Sequence, residues 1–98
     1  MSKVKVSVLY PASEGATFDM DYYVSKHLPL CKEVLGPEAT VAEKGIPGQP
    51  YIAVGHLIFE SMEAMQKGMS GPRAGEPTAD IPNYTNVTPQ IQISEIVD

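Results

Sequence analysis

Basic side chains are scarce in this chain. Its 98 residues include 7 Lys and Arg against 12 Asp and Glu, a formal net charge of −5, and the densest basic cluster is Lys3-Val4-Lys5. Tracking a phosphate backbone needs a basic stripe, so nucleic acid is not expected as a partner. Cysteine is nearly absent: Cys31 stands alone, and neither an intramolecular disulfide nor a paired-cysteine metal motif can form. His27 and His56 lie in no HxH or HxxxH spacing, so no metal site is expected, although Asp19 and Asp80 would be the right ligand types. Long apolar runs are missing too, with nothing near the roughly 20 residues of a membrane helix. The start Met1-Ser2-Lys3-Val4-Lys5 has no signal-peptide core, and the expectation is a cytoplasmic protein with no membrane partner. No GxGxxG-type glycine motif occurs, which argues against a tightly held dinucleotide and leaves no cofactor predicted.

What is present reads as one globular domain over residues 1–98. Hydrophobic residues make up 43% and charged residues 19%, enough apolar material for one core and too little length for two. Val4, Val6 and Val8 alternate with polar residues, the period of a half-buried strand, up to Pro11. After a loop at Pro11 to Thr17, Asp19 is placed to cap a helix. On a helical wheel Met20, Tyr23, Val24, His27, Leu28, Leu30, Cys31, Val34 and Leu35 share one arc. Pro29 falls on the outer side and predicts a kink near Ser25 to Pro29, before Gly36-Pro37 ends the helix. A second strand is expected over Glu38 to Lys44 and a third over Tyr51 to Glu60, after a turn at Gly45 to Pro50. Ser61 caps a short helix with Met62, Met65 and Met69 at helical spacing. Ser70 to Pro89 reads as a long functional or capping loop, and Gln90 to Val97 as the last strand. The order β-α-β-β-α-β is the α+β, ferredoxin-like split motif, with an antiparallel sheet and both helices on one face.

That motif leaves a face uncovered. The third strand is apolar on both sides, with Tyr51, Ala53, Leu57 and Phe59 on one and Ile52, Val54 and Ile58 on the other. Helices cover one side only. A second copy of the same sheet is the simplest cover for the other, so a homodimer is expected.

His27 is the centre of the candidate site. It lies mid-arc, with Tyr23 one turn before it and Cys31 one turn after. Burial beside a hydrogen-bonding neighbour is what turns a histidine into a general acid or base. The competing reading is a core histidine whose nitrogens are satisfied by a carbonyl and a tyrosine hydroxyl. Tyr23 faces inward to orient a substrate oxygen or fix the imidazole tautomer; Tyr22 points toward the polar side. His56 reaches His27 only if its strand face is the helix side. Asp80-Ile81-Pro82-Asn83-Tyr84-Thr85 suits a segment folded over a cleft mouth, with Asp80 and Tyr84 as polar contacts. Cys31 reads as a small core filler.

Phe18-Asp19-Met20-Asp21-Tyr22-Tyr23, His27, Pro29-Leu30, Gly55-His56-Leu57-Ile58-Phe59 and Asp80 to Thr85 resemble the EthD family, named for ethyl tert-butyl ether degradation. The match runs over nearly the whole chain. The resemblance implies a dimeric α+β barrel of two ferredoxin-like sheets and a link to oxidative degradation of small organic compounds. It raises His27, which matches the signature histidine, as a catalytic residue; Tyr23 beside it is the second catalytic candidate, and Asp19, Tyr22, His56, Asp80 and Tyr84 are the expected substrate-binding residues. Relatives in the barrel superfamily include monooxygenases, decarboxylases, cyclases and some haem-binding enzymes, so haem is the one cofactor alternative. Two functions follow: an oxidoreductase-associated or proton-transfer enzyme acting on a small hydrophobic organic ligand, or a non-catalytic protein that binds or delivers one.

Overall fold

The computed structural model describes residues 2–98. The valine alternation forms β1 (Val4–Pro11), and two further strands and a final one follow as β2 (Ala39–Lys44), β3 (Tyr51–Phe59) and β4 (Gln90–Glu95). Their order across the sheet is β2-β3-β1-β4 and every pairing is antiparallel. The parallel strands β1 and β2 are thus split by β3, the ferredoxin-like α+β arrangement that the element order predicted. In the β1–β3 register Val4 faces Phe59, Val6 faces Leu57, Val8 faces Gly55 and Tyr10 faces Ala53. This face carries the core: Ala53 and Phe59 have no exposed surface, and a fully buried Phe side chain contributes about 1.5–3 kcal/mol.

The helices lie on that face. The first runs as α1 (Met20–Tyr22), a wide π-turn at Tyr23–His27, and α2 (Leu28–Leu35). Gly36 follows α2 at φ 73°, a left-handed conformation that closes a helix and suits glycine. The helix α3 (Met62–Met69) begins at Ser61, whose hydroxyl accepts from the Ala64 N–H at 3.1 Å. No helix among the described residues is long and apolar enough to cross a membrane.

Two sequence expectations need correction. Val24, assigned to the inner arc, is 51% exposed; it sits at the arc's margin, where the wheel has no information about how far the sheet extends. The segment Ser70 to Pro89, read as a loop, contains α4 (Glu76–Asp80) and a 3₁₀ turn at Ile81–Asn83. Pro77 is compatible with α4 because it occupies the first turn, where no N–H is needed. Arg73 braces the segment through Glu76 at 2.8 Å and Glu33 at 2.9 Å. The ladder ends also shift slightly, with Glu38, Glu60, Ile96 and Val97 outside the strands.

The opposite face carries Leu9 from β1, Val41 from β2, and Ile52, Val54 and Ile58 from β3, none of them fully buried. No helix among the described residues lies over this side, where the apolar residues of β3 flank a polar group of Ser7, His56 and Glu43.

Candidate active site

The site begins with the irregular first helix. Asp19 caps α1 by accepting the Tyr22 N–H at 3.0 Å. Pro29 has no N–H to return to Ser25, so the regular ladder fails one turn before it. The chain responds with the π-turn, in which the Leu28 N–H reaches the Tyr23 carbonyl. Such turns recur at functional sites. Here it holds Tyr23 and His27 both inward, 2% and 5% exposed, with their rings stacked at 5.2 Å between centroids.

His27 is held from both sides. Its Nδ1 lies 3.0 Å from Asp80 Oδ2, and Asp80 Oδ1 accepts from the Tyr22 hydroxyl at 2.7 Å and from Asn83 Nδ2 at 2.9 Å. On the other side Nε2 lies 3.3 Å from the Tyr84 hydroxyl, which is 2.6 Å from the Tyr10 hydroxyl. Burial pushes the His27 pKa below its ordinary 6.5, against the opposing pull of Asp80. For Asp80, burial alone would raise the pKa, but hydrogen bonds from Tyr22, Asn83 and His27 outweigh it and hold the carboxyl below 3.8. The stable neutral-pH form is therefore a carboxylate beside a neutral imidazole whose Nδ1–H donates to it, leaving the lone pair on Nε2. An imidazole held in one tautomer by a carboxylate in this way is chemically able to accept a proton at Nε2. Burial also drives the phenols of Tyr10, Tyr23 and Tyr84 far upward, so all three keep their protons.

Beside this network is a pocket of about 260 Å³ between the helices and the sheet. Val6, Val8 and Leu57 form its floor, Leu28 and Leu35 its roof, and Tyr10, Tyr23 and His27 its polar end. Ile91 of β4 also lines it and is 58% exposed, which puts the opening near the sheet edge. Cys31 lines the pocket as a thiol that burial pushes up to about 11, consistent with a small filler and not a nucleophile.

The structure brings together His27, Tyr23, Tyr22, Asp80 and Tyr84, with several changes of role. Tyr22, read as pointing to the polar side, binds Asp80, the last residue of α4, which packs against α2. Tyr84, expected at a cleft mouth, is only 3% exposed and lies behind His27. Tyr23 stacks on His27, while the tautomer is set by Asp80. Asp19 spends its carboxylate on the helix cap and borders an outer groove, not the pocket. His56 is not part of this site: its parity with Ile52 and Val54 puts it on the face away from the helices, bonded to Ser7 Oγ and Glu43 Oε1, both at 2.9 Å. With the histidines on opposite sides of the sheet, they share no metal or ligand. Haem does not fit either, because the pocket is one ring in scale and both His27 nitrogens are engaged.

Two residues take roles that the sequence reading does not assign. Tyr10 is given none there, although its even parity with Val4, Val6 and Val8 puts it on the inner face. Gly55 is required by close approach: a Cβ there would sit 1.7 Å from the Tyr23 hydroxyl oxygen. No protein-family model matches the chain and no curated protein does. Among solved structures, an EthD-like protein from Ralstonia eutropha JMP134 is 36% identical over 100% of this chain and 95% of its own, with a TM-score of 0.85. An ethyl tert-butyl ether degradation (EthD) family protein from Bacillus halodurans C-125 is 18% identical over 97% and 99%, TM-score 0.75. A putative antibiotic biosynthesis monooxygenase from Bordetella bronchiseptica shares the fold at 13% identity over 99% of both chains, TM-score 0.69. With more than a third of its residues identical to the first of these along its whole length, the chain belongs to the EthD family.

Proposed function

We propose that this protein is an enzyme that removes a proton from a small, mostly apolar organic compound bound between the helices and the sheet, in an oxidative degradation route. The carrying observation is the buried pair of His27 and Asp80 at 3.0 Å beside an apolar pocket of about 260 Å³. A neutral imidazole with its lone pair held on one nitrogen is poised to accept a proton, and Asp80 then stabilises the imidazolium. The oxidative setting is supported by the EthD relatives and by the monooxygenase description of one fold neighbour. In this reading the chain contributes proton transfer and binding, and dioxygen or a separate redox protein supplies the oxidant.

The working form in this proposal is a cytoplasmic homodimer, with two copies of the sheet's open face packed into an α+β barrel. Leu9, Val41, Ile52, Val54 and Ile58 support it, being apolar side chains on a face that no helix among the described residues covers. Light scattering after gel filtration should give twice the mass of the chain; a monomer at micromolar concentration would refute the dimer. For the activity, native mass spectrometry of the purified protein identifies the molecule it retains, and turnover of that molecule is then compared between wild type and His27→Gln. Loss of turnover with binding retained is expected. Equal turnover by the variant overturns the base assignment, and binding without turnover by the wild type makes the protein a carrier.

A further inference from the structure

The hydrogen bonds behind the pocket run in one direction. Asp80 accepts the Nδ1–H of His27, so Nε2 can only accept, and the Tyr84 hydroxyl 3.3 Å away is its donor. A phenol has one proton, and that of Tyr84 is then committed. The 2.6 Å contact between Tyr84 and Tyr10 is therefore donated by Tyr10. The oxygen of Tyr10 is left with lone pairs to offer, and Tyr10 lines the pocket while Tyr84 does not. The wire thus reaches the ligand side at Tyr10, whose oxygen also faces the Tyr23 hydroxyl, and ends at Asp80 on the other.

The pocket's size and lining restrict what reaches that end. A volume of about 260 Å³ lies between a cavity of about 150 Å³ that takes benzene and the roughly 300 Å³ at which drug-sized sites begin. One ring with small substituents fits. None of the lining residues is Lys, Arg, Asp or Glu, so a ligand that arrives as an anion would lose its hydration and meet no fixed cation in return.

We propose that the pocket takes an uncharged one-ring compound with an acidic hydroxyl, a phenol in chemical class, and that Tyr10 is the catalytic residue that receives its proton. This rests on the reading of His27 as the base. The ligand O–H bond breaks and its proton passes to Tyr10 Oη. The proton of Tyr10 moves to Tyr84 Oη, and that of Tyr84 moves to His27 Nε2. The products are the ligand phenolate and an imidazolium paired with Asp80, with no electron transferred. Tyr10, now carrying the ligand's proton, donates a charge-assisted hydrogen bond to the phenolate it has made.

The probe is 4-nitrophenol, whose anion has its own visible absorbance band. Titrated into the wild-type protein, it should bind and ionise with an apparent pKa lowered by one unit or more, a tenfold gain in ionisation. Tyr10→Phe and, one step further in, Tyr84→Phe keep the rings and remove the hydroxyls; each should bind the probe and return its pKa to the free value. His27→Gln should do the same. If either Phe variant keeps the full shift, the relay is wrong and His27 takes the proton directly, with the base reading intact. If the wild type binds the probe without a shift, the base reading fails and the relay with it. If the probe does not bind, or 4-nitrobenzoate binds as tightly, the ligand class is overturned.

Discussion

Adding a single methyl group at Gly55 puts a number on how tightly the site is built. An ideal Cβ at this position lies 1.7 Å from Tyr23 Oη and 2.9 Å from Tyr23 Cζ. Carbon contacts are most favourable at about 3.5–4.0 Å, so the ring must retreat by roughly 2 Å. It has little room to do so. The ring of Tyr23 is stacked on His27 at 5.2 Å and meets Tyr84 at 5.1 Å and Tyr10 at 6.0 Å. Overpacking of this kind costs about 1–3 kcal/mol, and in a domain of this length each kcal/mol lowers the Tm by about 4–8 °C. Tyr23→Phe removes the atom of closest approach. In that background Gly55→Ala should cost less, with a coupling energy of about 1–2 kcal/mol between the two sites. The assay is urea unfolding followed by far-ultraviolet circular dichroism for all four members of the cycle. Protein concentration must be held constant, since association shifts apparent stability. If the two costs add within about 0.5 kcal/mol, the hydroxyl is not what Gly55 accommodates and the reasoning fails.

The remaining predictions concern charge and capping. Because burial holds His27 below 6.5 in the folded protein, the unfolded chain binds more protons as the pH falls through that value. Stability from this group is full above about pH 6.5 and declines below it by at most about 1.4 kcal/mol per pH unit. Asp80, held below 3.8, adds a further loss at more acid pH. His27→Gln should flatten the first decline in unfolding midpoint against pH, and a wild type with no decline there would contradict a buried neutral imidazole. Asp80→Asn removes the charge that favours the imidazolium, so the His27 titration midpoint followed by proton NMR should move further down; an upward move would be inconsistent with the pairing. Asp19→Ala should cost about 1 kcal/mol as a lost N-cap and leave the His27 midpoint unchanged. A moved midpoint would tie Asp19 to the site.

Much of the fold is legible because it is local. The parity of Val4, Val6 and Val8 and the helical spacing of Tyr23, His27 and Cys31 determine which side of each element is inward, whatever the rest of the chain does. Pro29 foretold an irregular helix, and the π-turn at Tyr23–His27 is the form it takes. The site was only half legible. His27 and Tyr23 are one turn apart in sequence, but Asp80 is 53 residues from His27. It reaches Nδ1 only because α4 forms where a loop was expected and packs over the first helix. Tyr22 changes role for the same reason.

By itself, then, the sequence determined the ferredoxin-like element order, the inward face of the first helix and His27 at its centre, since periodicity and turn chemistry act within a few residues. Tertiary structure decided which face of a doubly apolar strand meets the helices, and so removed His56 from the site. It also set the tautomer of His27 and joined Tyr10 and Tyr84 to it. Those outcomes depend on contacts between residues distant along the chain, and spacing in one dimension carries no record of them.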